Sequence, residues 1–360
     1  MRLAWAIFPI SLTLIYAGMQ RNGNTAILLV TASVVLAYYL KDHWVRAWFL
    51  WQIVLAVLMY SILIAFPCQY TMRLHMNAMD FMVKLSAGII IFIAATEICI
   101  SKHRYIFNVF CIFVLFECLV FMFQQYNLDI EQISATVIGA TMRDIPRAGT
   151  LGNKNFFAAI LAITMPMFFR KKWCWFLPII ILVLFLQQTT GGIVAATVAI
   201  AYFLLKSKQF RIETKALIFA SLAFGFVVFV QFFDTIALDD FRRYTWWDIL
   251  RSMPQWIYLG NGPGSYPIWG GAEHVHNDYF EAFFEGGIVS MVIITGYLIS
   301  ILYNAYHQKS QVGIILSACV LALCANALVN YPLHLAPSGF IAAFLLGMAY
   351  RWRTTLRMLT

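Results

Sequence analysis

Residues 173–206 read WCWFLPIIILVLFLQQTTGGIVAATVAIAYFLLK, and the chain runs on into the basic block KSKQFRIETK at 206–215. The polar turn Thr189-Thr190-Gly191-Gly192 separates two apolar runs, and how it is read decides the topology around it. As a kink, it would leave one long helix and carry the basic block across a membrane. As a turn, it makes two short helices and returns the block to the side where the first run began. Lys and Arg accumulate in cytoplasmic loops, so the basic block favours the turn.

Composition makes a membrane the right solvent. Of 360 residues, 62% are hydrophobic and 11% charged, against about a quarter charged in soluble domains. Apolar runs of about 16 to 23 residues are long enough to cross a bilayer as helices at 1.5 Å per residue. Barrel strands would be shorter and would alternate in polarity. The runs fall at 3–19, 25–40, 47–66, 81–100, 105–125, 155–169, 173–188, 191–205, 216–233, 280–303, 311–329 and 337–350. The expected fold is an all-α polytopic membrane protein of about twelve transmembrane helices.

With the N-terminus inside, sixteen of the 25 Lys and Arg fall on the cytoplasmic side and nine outside. Both termini are then cytoplasmic. The run from Leu3 to Met19 has the length of a signal peptide, but Tyr16-Ala-Gly-Met-Gln20 is a poor cleavage site, so a retained first helix is expected.

The net charge of +9 is mostly this inside bias. The cations do not interleave with aromatics as in a nucleic-acid groove, so no nucleic-acid partner is expected. Six of the seven cysteines (Cys99, Cys111, Cys118, Cys174, Cys319 and Cys324) lie within apolar runs, without CxxC or Cys/His pairing. Neither a disulfide framework nor a zinc site follows from that pattern.

The spans divide the chain into four regions. N-terminal helices occupy 1–125, an external loop with the central helices 126–233, a long external loop 234–279, and C-terminal helices with a basic tail 280–360. The long loop lies between the ninth and tenth spans. Loops of this length are functional or disordered, and Trp246, Trp247, Trp256 and Trp269 favour order.

Four polar constellations fall on the outer face. In MRDIPRAGTLGNKN (142–155), Arg143 and Arg147 break the positive-inside trend just before a span. Gly149 and Gly152 allow close backbone approach, and Asn153 or Asn155 can cap the helix. Arg beside a helix N-terminus suits a phosphate oxyanion. An interfacial Arg reaching lipid phosphates accounts for the same residues.

In FRRYTWWDILRSMP (241–254), Arg242, Trp246 and Ile249 or Leu250 share one face, as in a helix lying on the membrane. Arg242 and Arg243 point to different sides, so one faces inward. An aromatic-flanked Arg here could hold a diphosphate or a sugar, and a plain interfacial belt is the alternative.

LGNGPGSYP (259–267) lacks the GxxxxGK[ST] of a nucleotide loop and reads as a rigid turn. In HVHNDYFEAFFEGG (274–287), Asp278 and Glu281 have capping-box spacing. His274 and His276 would then sit just outside a helix start, where the positive dipole end disfavours imidazolium. A neutral imidazole there can accept a proton. No matching His or Cys pair lies nearby, so no metal is expected. Taken alone, this stretch is a hydrated helix mouth. Taken with the others, it completes a pocket for an anionic, lipid-anchored substrate with a base beside it.

These residues resemble the O-antigen ligase and polymerase superfamily of bacterial membrane glycosyltransferases. Arg147 and Gly149-Thr-Leu-Gly-Asn153 with Asn155 are similar to its R-x-G-T-x-G-N-x-N stretch, with Lys154 where Pro is common. Thr189-Thr-Gly-Gly192 stands where members often carry a Ser-Arg-Gly turn, so an Arg of relatives is missing. Arg242 with Trp246, or Arg243 with Trp247, followed by Gly260-x-Gly262-x-Gly264, resembles R-x-x-x-W…G-x-G-x-G. His276-Asn277 with Glu285 and Gly287 resembles H-N…E-x-G. The matches run in family order from about 140 onward, while the first five spans match only as hydrophobic helices.

The resemblance implies a GT-C-like helical membrane fold in the bacterial inner membrane, with an active site at the periplasmic face. It implies transfer of a glycan from undecaprenyl pyrophosphate to an acceptor hydroxyl, with neither metal nor other cofactor. Arg147 and Arg242 or Arg243 would hold the pyrophosphate. His276 would orient or deprotonate the acceptor, Arg143 and His274 would be supporting contacts, and Asn277, Asn153, Trp246 and Trp247 would position substrate.

Within the superfamily, ligases load glycan onto lipid A-core, polymerases extend the lipid-linked repeat, and others glycosylate protein Ser or Thr. Ligase is the leading expectation. Polymerase stands close behind, and protein glycosylation is a third reading. A solute transporter would instead show broken helices and buried charges, and by sequence only Glu97 and Glu117 are acidic residues within spans.

Overall fold

The computed structural model describes residues 103–125, 154–207, 276–330 and most of 332–359, with shorter pieces within 88–96, 211–213, 247–251 and 257–262 and at 149. Among the described residues all regular structure is helical. The helices are α1 (His103–Gln125), α2 (Lys154–Thr164), α3 (Leu177–Gln187), α4 (Thr190–Lys206), α5 (Asp278–His307), α6 (Gln311–Ala327) and α7 (Ala336–Leu359). The expected spans 3–19, 25–40, 47–66 and 216–233, and all but a few residues of 81–100, lie outside the described residues.

Helix limits follow from particular residues. Pro166 lacks an amide and would clash with the carbonyl four residues back, and α2 gives way there to the 3₁₀ turn Met165–Phe169. Pro178 sits in the first turn of α3, where an amide would be unpaired anyway. Gln188 is left-handed (φ 52, ψ 39), and its N–H returns to the Phe185 carbonyl at 3.1 Å. Thr189 then takes up an extended conformation before α4. Residues 173–206 therefore form two helices and a turn, as the basic block required. The α6 start is capped by Ser310, whose Oγ accepts from Gly313 N at 3.1 Å.

The core is built on small residues. Helix α6 is buried along nearly its whole length, and Ala318, Ala322 and Ala325 are among its buried residues. It packs beside α4, which buries Gly191, Gly192, Ala195 and Ala199, and α2, which buries Ala158, Ala159 and Ala162. Small side chains let helix backbones approach where lipid removes the hydrophobic drive to associate. Aromatic pairs fill the remaining seams, with Phe121–Phe157 and Phe110–Phe344 ring centroids 5.7 Å apart.

Outward faces are apolar as well. Ile112, Phe116 and Leu119 on α1, Ile179 and Leu182 on α3, and Val292, Ile293 and Ile299 on α5 are exposed. Such surface is unfavourable in water by about 25 cal/mol per Å² and at ease in lipid. Two of the helices, α1 and α5, are long and apolar enough to cross a membrane.

The antiparallel succession separates two ends of the bundle. One collects cations. Arg170 donates to Asn108 at 3.1 Å, Trp173 donates to the same oxygen at 2.9 Å, and Lys206 donates to the Tyr306 carbonyl. The opposite end collects Gly149, Thr189 to Gly192, the start of α5 and the end of α6. Two helices depart from expectation. Helix α7 continues to Leu359 through the segment expected as a basic tail, and α5 is interrupted at Gly287 (φ 61, ψ −153).

Candidate functional site

The start of α5 corrects the expected capping box. Asn277 is the N-cap: it is extended (φ −157, ψ 107), and its Oδ1 accepts from Tyr279 N at 3.0 Å and Phe280 N at 3.1 Å. Asp278 is already helical, so its carboxylate turns elsewhere and accepts from Leu333 N at 3.0 Å. Its own N–H donates to the Asn330 carbonyl at 3.2 Å. Asn277 Nδ2 donates to the Leu328 carbonyl at 2.8 Å, and Tyr279 OH to the Cys324 carbonyl at 2.9 Å. The first turn of α5 is thus stitched to the last turn of α6 and to the segment beyond it.

His276 immediately precedes this cap, half-buried, with φ 57. The left-handed region is uncommon for a residue with a Cβ, and such strain persists only where neighbouring structure over-determines it. Asn277 supplies that determination through its bonds to both helices.

About 12 Å further along α5, at 1.5 Å per residue, the helix breaks. The carbonyls of Phe284 and Glu285 accept from Asn261 N at 3.0 Å and Gly262 N at 2.9 Å, and Ile288 N donates to the Ile257 carbonyl at 2.7 Å. Gly260-Asn-Gly262, within the stretch read from sequence as a rigid turn, fills this break. Gly260 (φ 71) and Gly287 face each other so closely that a Cβ on either would collide with backbone of the other segment.

The Thr189–Gly192 turn faces α6. A Cβ on Gly191 would lie 2.6 Å from Asn330 Nδ2 and 3.2 Å from Asn326 Nδ2. Asn326 is fully buried, and neither of its amide atoms has a hydrogen-bond partner among the described residues; the same holds for the buried Thr189 Oγ1. Leaving a buried polar group unpaired costs about 1–3 kcal/mol. Sequence reading passed over Asn326 and Asn330. Their signal was the i, i+4 spacing of two amides ending an apolar run.

Gly149, from the Arg147 motif, is held by Gln124: its N–H donates to Gln124 Oε1 and its carbonyl accepts from Gln124 Nε2, both at 2.9 Å. Glu117, one and a half to two turns earlier on α1, is buried beside it. Burial of Glu281 and Glu285 within α5 corrects the expectation that Glu97 and Glu117 are the acidic residues within spans. Glu97 lies outside the described residues.

Of the expected site residues, the structure brings His276 and Asn277 to this polar end. Trp247 is on a short helical piece with its side chain exposed and the Arg251 guanidinium 5.2 Å from its ring, while Ile249 is buried. Of the two residues expected on the inner face, Ile249 or Leu250, it is Ile249 that is buried, and Leu250 is exposed. Arg143, Arg147, Asn153, Arg242, Arg243, Trp246 and His274 lie outside the described residues. Among the described residues the arrangement offers one imidazole, a row of amides and hydroxyls, and buried carboxylates on one face of α5. It can orient hydroxyl-bearing molecules and accept a proton. No protein-family model matches the chain, and no curated protein matches it.

Proposed function

We propose that this chain is a membrane glycosyltransferase of the O-antigen ligase and polymerase type. It transfers a glycan from undecaprenyl pyrophosphate to an acceptor hydroxyl at the periplasmic face of the bacterial inner membrane. Lipid A-core is the leading acceptor. A growing lipid-linked glycan, as in a polymerase, is the second, and a protein hydroxyl the third. In this reading the chain has about twelve spans and a GT-C-like fold with both termini cytoplasmic. The observation that carries it is convergence: Gly149, Thr189 to Gly192 and His276-Asn277 are far apart in the chain yet lie at one end of the bundle, opposite the cations.

In the reaction, the acceptor oxygen forms a bond to the anomeric carbon as the bond to the phosphate oxygen breaks, with inversion. The acceptor proton passes to His276. The pyrophosphate leaves on its lipid carrier, its charge met by Arg147 and by Arg242 or Arg243. Counting back from Gly260 along the sequence favours Arg242 with Trp246 as the pair that meets this charge. Positioning and charge neutralisation supply most of the rate, since the leaving group is already good.

The experiment is complementation of a deletion strain. Wild-type protein restores surface polysaccharide; His276→Ala, inserted at equal level, does not. Full polysaccharide with His276→Ala refutes the assignment. The deletion profile separates the acceptors, because unmodified core with accumulating lipid-linked polymer marks a ligase and core bearing one repeat a polymerase.

One observation favours a second reading. A broken α5 with buried Glu281 and Glu285 is what a transporter would carry. Against it, the carbonyls at this break are occupied by Asn261 and Gly262 amides instead of lining an open path. Unaltered surface glycan in the deletion strain would favour transport.

A further inference from the structure

We infer that Gly260 and Gly287 are positioning residues, a backbone clamp that sets the long external loop in register with the half-helix that His276 and its neighbour Asn277 begin. The inference rests on the transferase reading above and concerns residues to which that reading assigns no role.

The clamp has three main-chain bonds, and they run both ways. Asn261 N and Gly262 N donate into α5, to Phe284 O and Glu285 O, and Ile288 N donates out of it to Ile257 O. Asn261 Nδ2 adds a bond to the Phe284 carbonyl at 3.3 Å. A helix break normally strands such groups, and here one short segment satisfies donors and acceptors on both sides of it. The fit requires two glycines. Gly287, at φ 61 and ψ −153, occupies a region that residues with a Cβ essentially do not enter. A Cβ on it would fall 2.6 Å from the Tyr258 carbonyl oxygen and 2.7 Å from Gly260 N. A Cβ on Gly260 would strike the Glu285 carbonyl.

The geometry ties two parts of the proposed chemistry together. Upstream of the clamp, the loop carries the helical piece at 247–251 and, before it in sequence, Arg242 and Arg243. At the start of α5 lie the N-cap Asn277 and, just before it, His276, immediately ahead of the half-helix whose carbonyls the clamp grips. Any slip at the glycines therefore moves the arginine-bearing loop relative to the base without removing either. Errors of about 1 Å in such placements cost about a hundredfold in rate.

The test compares Gly260→Ala and Gly287→Ala with Gly296→Ala, a control on the same helix where an added Cβ meets nothing within 4 Å. Purified proteins in lipid nanodiscs are assayed with lipid-linked glycan and acceptor, and amide hydrogen exchange is followed at 257–262 and 288. For both clamp variants we expect exchange at those amides to accelerate and kcat to fall at least about tenfold, with donor KM moving less than about threefold. Gly296→Ala should match wild type in both readouts. Asn261→Ala, which keeps the backbone bonds, should lose about two- to threefold in kcat, and it keeps the question answerable if the glycine variants fail to insert. Accelerated exchange with unchanged kcat overturns the positioning role, and unchanged exchange overturns the clamp itself. Absence of transfer by the wild-type protein overturns the functional reading and the positioning role with it, while exchange still reports whether the clamp exists.

Discussion

The two ends of the bundle use polarity in opposite ways. At the basic end, Lys206 lies over the Tyr306 ring at 4.7 Å and Arg170 over the Phe107 ring at 5.7 Å. Both cations also donate to neighbouring oxygens. Long side chains there keep their charge toward the interface while their stems cover apolar surface. At the other end the polar groups are short, neutral or acidic, and buried: Asn326, Thr189, Asn277, Glu281 and Glu285. Burial of that kind costs stability unless partners are provided. The first pattern is what orientation in a membrane needs. The second is what a site needs, because groups held away from water are already oriented for what they bind.

Breaking the comparison at its most functional point means His276. Replacement by Ala removes the proposed proton acceptor while Asn277 keeps its cap and its bond to Leu328, so the fold should survive. Glycan transfer should fall by at least about a hundredfold, the low end for a lost general base, as measured by initial rates. Retained insertion at wild-type level is part of the expectation. A drop in both insertion and rate would make His276 a structural residue held at φ 57 for the turn alone.

Next in size is Asn277→Ala. It removes a cap, worth about 1 kcal/mol, and strands the Leu328 carbonyl. The thermal midpoint in detergent should fall by several degrees, and Asn277→Asp, which keeps the cap acceptor but not the Nδ2 donor, should recover part of the loss. Equal midpoints for Ala and Asp would show that the link to α6 outweighs the cap.

How much of this was legible in sequence depended on range. The helices at 103–125, 154–164, 177–187, 190–206 and 311–327 follow from apolar runs bounded by Pro, Gly or charge, all local signals. The choice between Asn277 and Asp278 as cap was not legible, because both residues cap well and only the backbone conformation of His276 and Asn277 decides. The break in α5 was hidden for a different reason. Glu285-Gly-Gly287 lies in a run that reads as helix, and the segment that satisfies the interrupted bonds comes about 25 residues earlier. The roles of Asn326 and Asn330 likewise depend on Gly191, which is distant in the chain. Motif spacing located His276-Asn277 because the helix start is local; the company they keep is not.

The third perturbation should have the opposite sign. Asn326→Leu is close to isosteric and replaces a fully buried amide that lacks partners among the described residues. Removing such a group is neutral to stabilising, by up to about 1–3 kcal/mol. We expect a raised thermal midpoint together with slower transfer, the combination that follows when a costly polar group is kept for function. A lowered midpoint would mean that buried water already satisfies the amide.

The smallest effect belongs to the basic end. Lys206→Ala removes a cation–π contact and a bond to the Tyr306 carbonyl, which at an exposed rim amount to about half a kcal/mol to 1 kcal/mol. Its rate of transfer should equal wild type, and its thermal midpoint should shift by no more than about two degrees. Only combined removal of Lys206, Lys208, Arg211 and Lys215 should register, and then in the orientation of inserted protein by cysteine accessibility, because the positive-inside bias is counted over loops and not over single residues. A single Lys206→Ala variant that inserted normally yet lost transfer would erase the division of labour between the ends, since it would make a cation at the far face part of the chemistry.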